Sequence, residues 1–398
     1  MWNLVFTCIG LLVLQACAAV PWLIAVDWRN RQWLRQVKVW GTGLVAAVAL
    51  GAVWAYFLQN SDTRDLVRWG RFYMSVLHLQ LAADFFVVVF WLLLTFWPKG
   101  AAVALAAFQE GVRQPMFWLL FAAALTLMVM SPFWPYFTFG EDYKVVKEVC
   151  FALTMLLPAV FAVVAASISV SEEIEGRTAV TLMSKPISRR QFLLGKFGGL
   201  LLAAAFMTLL LGWFLVWVVV FKSWYDPPMT NSQEAISQAD PRWVIDLAGN
   251  WFGNSALGDL TRGVGFWVND AGTALPGLVI GFCQVMVLLA IAVALGTRVP
   301  MVITIPVCVI VFFLGHLTPI MMEVTRTGYR LIYFMAQLFD TILPGLDLFD
   351  ASSAVIRDVP LPAGAYALYT LNVTLYALTY TTITLLFGLI LFEDRDLA

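Results

Sequence analysis

Uninterrupted apolar runs, each long enough to cross a lipid bilayer as a helix, dominate this sequence. A transmembrane helix needs about 20 apolar residues. Runs of that length recur about nine times, near residues 3–26, 40–58, 73–97, 116–135, 148–169, 197–221, 273–296, 299–317 and 364–392. The runs do not alternate between apolar and polar residues, as the strands of a membrane barrel do. The sequence therefore predicts an all-α polytopic membrane protein with about nine transmembrane helices.

The composition supports the same class and narrows the partners. Hydrophobic residues make up 61% of the chain and charged residues only 12%, which is far more apolar than an ordinary soluble domain. The formal net charge of −1 argues against nucleic acid as a partner. The five cysteines all fall inside apolar runs without a close pair, so we expect neither a disulfide framework nor a metal site. The first run continues to Val26 with no basic residue before it, which favours a retained helix over a cleaved signal peptide.

The connections between the runs predict two groups of helices. Residues 1–98 hold three spans, and residues 116–398 hold a core of six. Between them, residues 99–115 have apolar side chains at helical spacing, with Glu110 and Arg113 near the end. Such a helix can lie in the membrane interface before a proline starts the next span. We therefore expect three additional N-terminal helices, an interfacial helix and a six-helix core.

The distribution of basic residues predicts the orientation. All 24 Lys and Arg residues lie outside the proposed spans, and short basic connections stay in the cytoplasm. This places residues 27–39 and 171–196 and the C-terminus on the cytoplasmic side, and the segments 222–270 and 318–362 on the outer side. Three basic residues oppose this scheme for the first helices, namely Arg64, Arg68 and Arg71.

The most charged connection, SEEIEGRTAVTLMSKPISRRQFLLGK at residues 171–196, joins the second and third core spans. It gathers eight charges, at Glu172, Glu173, Glu175, Arg177, Lys185, Arg189, Arg190 and Lys196. Each charge costs roughly 2.5–3.5 kcal/mol at the centre of a membrane helix, so eight in lipid would cost more than about 20 kcal/mol. This segment must therefore lie in water or against another protein.

Local signals in the same segment predict a rigid elbow. Pro186 ends a helix and restricts the residue before it. Ser188 and Gln191 have the spacing of a capping box, which starts the helix of the next span. Gly195 and Gly199, four residues apart, allow a neighbouring helix to approach closely, and we favour a neighbour within the chain over a dimer contact.

The segment EEIEGRTAVTLMSKPISRRQFLLGKFGG resembles the signature of the type-2 ABC transporter permease family, the membrane subunits of ATP-binding-cassette exporters. FQEGVRQPMFWLL is similar to the interfacial helix of that family, with Glu110 and Arg113 at the matching positions. ILPGLDLFD, at residues 342–350, is similar to the proline-containing segment before the last span, and the charged tail FEDRDLA fits the same pattern. The resemblance covers about residues 105–398 and leaves the three N-terminal spans outside it.

The resemblance implies that the elbow docks into a cleft of a separate ATP-hydrolysing subunit, which would hold ATP and Mg²⁺. Leu182 and Met183 would be apolar anchors in the groove, ringed by complementary charges. The residues assigned to this coupling site are Glu172, Glu173, Glu175, Gly176, Arg177, Thr178, Leu182, Met183, Lys185, Pro186, Ser188 and Arg189. The resemblance further implies a second permease subunit, identical or related, and the plasma (inner) membrane of a prokaryote. Without this family resemblance, a basic loop that contacts anionic lipid would explain the charges of residues 171–196.

Two other functions stay open. The chain has no phosphate-binding loop, since Gly195-Lys196 is followed by Phe197, and it has no H-E-x-x-H pattern or evident Ser/His/Asp set. We therefore assign it no catalytic residue, metal or cofactor of its own, which counts against an integral-membrane enzyme acting on lipid. An ion-gradient-driven transporter would carry ionisable groups at membrane depth. Asp84 is the one acidic residue deep in a span, and a carboxylic acid hydrogen-bonded to a neighbouring helix is the plainer interpretation.

The two outer segments carry aromatic residues. Residues 222–270 contain Trp224, Trp243, Trp251 and Trp267, which favours a belt of tryptophans at the membrane interface over a ligand platform. Residues 318–362 mix aromatic residues with scattered charge, and we expect short helices there.

Overall fold

A computed structural model describes residues 2–26, 37–58, 61–136, 142–175, 187–225, 241–253, 255–325, 330–350 and 363–393. All regular secondary structure in these ranges is helical. The α-helices are α1 Trp2–Val26, α2 Val37–Leu58, α3 Thr63–Phe96, α4 Pro98–Arg113, α5 Pro115–Met130, α6 Asp142–Glu175, α7 Arg189–Tyr225, α8 Arg242–Phe252, α9 Ala256–Gly296, α10 Met301–Thr325, α11 Arg330–Ile342 and α12 Ala363–Glu393. Short 3₁₀ helices cover Ser131–Phe133 and Leu346–Phe349.

The expectation of a polytopic all-α membrane protein is confirmed. Among the described residues, eight helices are long and apolar enough to cross a membrane, within α2, α3, α5 with its 3₁₀ extension, α6, α7, α9, α10 and α12. A shorter apolar helix, Val5–Pro21, lies within α1. These nine helices match the nine predicted runs. Side chains that face outwards are largely apolar, as Leu44, Phe85 and Ile383 illustrate.

The chain divides into two compact units. The first consists of Met1–Leu92 and Gln238–Thr273, and the second of Leu93–Ser237 and Ala274–Ala398. The proposed boundaries at residues 98 and 115 stay a prediction, as does the membrane side of each connection. The segment 238–273, however, clusters with the N-terminal helices, a pairing that the sequence did not suggest.

Close helix crossings hold the first unit together. A Cβ atom at Gly51 would lie 2.9 Å from the Cα of Ile9, so α1 and α2 meet backbone to backbone. A Cβ at Gly70 of α3 would clash with the Leu260 carbonyl of α9, and one at Gly263 with the Val67 carbonyl. Glycine is required at both positions because each lies where two helix backbones touch.

Polar contacts reinforce the same unit. Arg71 Nη1 lies 2.6 Å from Asp270 Oδ2, and the Arg71 guanidinium also stacks over Phe266. Trp267 is fully buried, and its Nε1–H donates to His78 Nδ1 at 3.3 Å. Trp224, Trp243 and Trp251 are exposed, but Trp267 is a core residue, so the prediction of a four-tryptophan belt is wrong at that position.

In the second unit, aromatic and tyrosine contacts organise the helices. Phe117 of α5 is buried against Phe161 of α6 and Phe206 of α7. Hydroxyl groups of α12 bind the end of α11 and the segment after it. Tyr376 accepts from the Gly345 amide, and Tyr369 and Tyr380 donate to the carbonyls of Leu348 and Ile342. The expected short helices of residues 318–362 are present as α11 and the second 3₁₀ helix, after α10 has extended to Thr325.

Candidate functional site

The candidate site is the base of the charged elbow, where α6 ends at Glu175 and α7 begins at Arg189. Seven predicted coupling residues lie outside the described residues: Gly176, Arg177, Thr178, Leu182, Met183, Lys185 and Pro186. Glu172, Glu173 and Glu175 belong to the last turns of α6, and their side chains also lie outside the described set. Among the residues assigned to the coupling site, Ser188 and Arg189 are therefore the two whose side chains the structure describes.

The capping box at the start of α7 is confirmed. The Gln191 amide donates to Ser188 Oγ at 3.2 Å, and the Ser188 amide donates to Gln191 Oε1 at 3.1 Å. Both bonds use backbone N–H groups that the helix itself leaves unpaired. The helix that leaves the elbow therefore begins at a fixed residue.

A buried lysine joins three helices just beyond this cap. Lys196 Nζ donates to Ser169 Oγ of α6 at 2.8 Å and pairs with Glu110 Oε2 of α4 at 3.2 Å. The Lys196 side chain is 5% exposed, whereas that of Glu110 is 46% exposed. A buried ammonium group needs such partners because its charge has been taken out of water. The helices on both sides of the elbow are thereby tied to α4.

Glycines bring the same helices into direct contact. A Cβ at Gly195 would lie 2.8 Å from the Gly100 carbonyl oxygen, and one at Gly199 would clash with the Ala104 carbonyl. This confirms the prediction that these glycines admit a neighbouring helix, and the neighbour is α4 of the same chain. Arg113, the other residue predicted on α4, is exposed in the last turn of that helix. A positive charge there is attracted to the negative end of the helix dipole.

Arg189 faces the end of the last helix. Its Nη1 donates to the carbonyl oxygens of Phe392 and Glu393, at 2.8 and 2.7 Å. On the other side of the elbow, Ser171 Oγ donates to the Val299 carbonyl at 3.2 Å, in the turn between α9 and α10. The contacts described at the elbow base thus reach α4, α6, α12 and the turn between α9 and α10, all within the second unit.

The sequence missed Ser169 and Arg298 as members of this region. Ser169 is one of several small polar residues in a long apolar run, and nothing local distinguishes it. Arg298, which bonds to Leu391 O, follows a helix end as many basic residues do. Lys196 did leave a signal in the sequence, because this cation lies seven residues after the start of α7 with apolar residues on both sides. Its partners could not be predicted.

Asp84 does not belong to the elbow base. It is half-buried in α3 of the first unit, one turn after the half-buried Gln80. It stays a candidate intramembrane polar site.

A family model described as "ABC-2 family transporter protein" matches residues 101–233. None of the curated proteins compared with the chain matches it. The matched stretch, about one third of the chain, includes most of α4, all of α5–α7, the elbow and the Lys196 contacts. The match over residues 101–233 supports the type-2 ABC permease family for this multi-pass membrane protein.

Proposed function

We propose that this chain is the permease subunit of an ATP-driven exporter, and that residues 171–196 receive motion from a separate ATP-hydrolysing subunit. ATP and Mg²⁺ bind in that subunit. A second permease subunit, identical or related, completes the pathway within the lipid bilayer. The chain itself performs no covalent chemistry.

The observation that supports this proposal most strongly is the set of contacts that joins the elbow base to α4 and α6. A connection that only joined two spans would need neither a capping box nor a buried cation bound to two other helices. Lys196 holds Ser169 before the elbow and Glu110 of α4, and Gly199 packs directly on α4. A push applied to the elbow therefore acts on α4, α6 and α7 together, because packed interiors transmit displacement instead of absorbing it.

The position of the end of α12 supports the proposed topology. The carbonyl of Glu393, the last residue of α12, bonds to the first residue of α7. The C-terminal end of the last helix therefore lies on the same side as the elbow, which fits a cytoplasmic C-terminus. The opposite arrangement would have contradicted an elbow that meets a cytoplasmic ATPase.

Copurification tests the proposal. We expect the tagged, full-length chain, extracted in mild detergent, to bring with it a subunit that contains a phosphate-binding loop and hydrolyses ATP. Leu182→Asp places a charge at an apolar anchor, so it should reduce recovery of that subunit by at least about tenfold. Asn250→Asp, an exposed change in α8, is the matched control and should leave recovery unchanged.

The alternatives give different results. A secondary transporter would move substrate with an ion gradient and no nucleotide, and Asp84→Asn would abolish that transport while the chain still assembles. A lipid-modifying enzyme would turn over its substrate alone in detergent. Recovery of the ATPase at full yield with Leu182→Asp would show that the coupling site lies elsewhere.

A further inference from the structure

Two arginines bind three consecutive carbonyl groups at the end of the last helix. Arg189 Nη1 donates to Phe392 O and Glu393 O, at 2.8 and 2.7 Å, and Arg298 Nε donates to Leu391 O at 2.7 Å. The last four carbonyls of a helix have no partner within it. They also form the negative end of the helix dipole. Guanidinium groups are therefore suited to this position by charge and by the number of their donors.

Packing holds the same helix end from its sides. Phe392 is fully buried, with its ring 6.0 Å from that of Phe192 and 5.6 Å below the Arg189 guanidinium. One turn earlier, a Cβ at Gly388 would lie 2.9 Å from Ala294 Cβ, so α12 touches α9 there. The end of α12 is thus attached to both α7 and α9.

Both arginines come from segments next to the elbow. Arg189 is the first residue of α7, directly after the elbow. Arg298 belongs to the turn between α9 and α10, and the next residue, Val299, accepts the bond from Ser171 at the other side of the elbow. The carbonyls that they bind lie 204 residues after Arg189, at Glu393, and 93 residues after Arg298, at Leu391. Arg298 and α12 lie outside the family match.

We propose that Arg189 and Arg298 are positioning residues that clamp the end of α12 to the elbow, so that α12 moves with it. This inference rests on the proposed function, since it assumes that the elbow is driven. It reassigns Arg189 from the rim of the ATPase interface to a contact inside the permease. A local cap would stabilise the end of α12 but would carry no nucleotide-dependent motion.

The first test uses the purified chain alone. Arg189→Ala and Arg298→Ala should each raise amide hydrogen exchange in the last turn of α12 by about tenfold, because the carbonyl partners are lost and the helix end frays. The conservative Arg298→Lys keeps the charge and one donor and should give a smaller increase. Arg190→Ala is the matched control, because Arg190 is exposed and lies 3.7 Å from the Glu393 carboxylate without contacting the carbonyls. Unchanged exchange in both alanine variants would overturn the clamp.

The second test measures motion in the complex with the copurified ATPase. Spin labels at Arg190→Cys and Ile390→Cys, both exposed sites, report the distance between the start of α7 and the end of α12; the exposed Cys17 is replaced by Ser. With both clamp arginines present, the distance should change by less than about 2 Å between the nucleotide-free and vanadate-trapped states. With Arg298→Ala, the distance should become nucleotide-dependent.

The outcomes separate the two proposals. If exchange rises but the label distance in Arg298→Ala stays independent of nucleotide, the arginines form a local cap and the transmission role is wrong. If the label distance changes by more than about 2 Å between the two nucleotide states while both arginines are present, α12 does not follow the elbow. If no ATPase copurifies, the proposed function fails and the transmission role falls with it, while the exchange experiment still reports the contacts.

Discussion

At the residue scale, Lys196 shows how one buried charge can organise a membrane protein. Its ammonium group is almost fully removed from solvent, and it is stabilised by Ser169 and Glu110 on two other helices. Removing one partner of a buried pair costs more than replacing both, since the remaining charge is left without compensation. Lys196 is 5% exposed and Glu110 is 46% exposed. Removing the Glu110 carboxylate and removing the Lys196 ammonium group should therefore have unequal costs.

We predict that Glu110→Gln destabilises the chain by about 1–3 kcal/mol, because Lys196 would stay buried without its carboxylate. Lys196→Met should cost less, since Met fills a similar volume and the Glu110 carboxylate is exposed enough to be hydrated. Thermal unfolding in detergent measures both effects. Arg113→Gln, an exposed charge change on the same helix, should stay within about 0.5 kcal/mol. An equal or larger loss for Lys196→Met would contradict this explanation.

At the element scale, the contact between α4 and α7 depends on which glycine faces the partner. Gly199 meets the Ala104 carbonyl, whereas a Cβ at the adjacent Gly198 has no heavy atom within 4 Å. Gly199→Ala should therefore destabilise by about 1–3 kcal/mol through overpacking against backbone. Gly198→Ala should be neutral or stabilising by up to about 1 kcal/mol, because alanine is the better helix former. Thermal unfolding of the two variants measures the difference, and similar effects would show that α4 can move away freely.

The predictability of each element follows from how local its signal is. The nine spans follow from apolar runs, and the capping box from residues three apart, so both could be predicted from the sequence. The start of α9 could not: it begins at Ala256 and not near residue 273, because charged residues interrupt the apolar run while remaining helical and paired, as Asp259 is with Arg262 at 2.9 Å. Trp267 was misassigned for a different reason, since it packs against His78 of α3, 189 residues away in sequence. The Lys196 and Arg298 contacts join distant parts of the chain, where no spacing rule applies.

At the scale of the whole molecule, the three N-terminal helices are more than an addition to the permease sequence. They share a compact unit with residues 238–273, which contain α8 and the first part of α9. The backbone crossing of Gly70 with Gly263 and the Arg71–Asp270 pair show how specific this packing is. We infer that the first three helices hold this segment in place.

A charge exchange tests that role. Arg71 and Asp270 are 12% and 28% exposed and lie 2.6 Å apart, so each charge is substantially removed from water. Arg71→Glu should destabilise by about 2–4 kcal/mol, because two carboxylates would face each other. It should also speed proteolysis within residues 238–273. Asp270→Arg should act similarly.

The double variant Arg71→Glu/Asp270→Arg should recover at least about half of the lost stability, since the attraction is restored while the stacking of Arg71 on Phe266 is not. Arg68→Ala breaks an exposed pair one turn away and should change stability by less than about 1 kcal/mol. Unfolding in detergent and limited proteolysis measure these variants. If the double variant were no more stable than the single variants, the pair would not be what joins α3 to α9. If the single variants left residues 238–273 as resistant to protease as before, the N-terminal helices would not be what holds the segment.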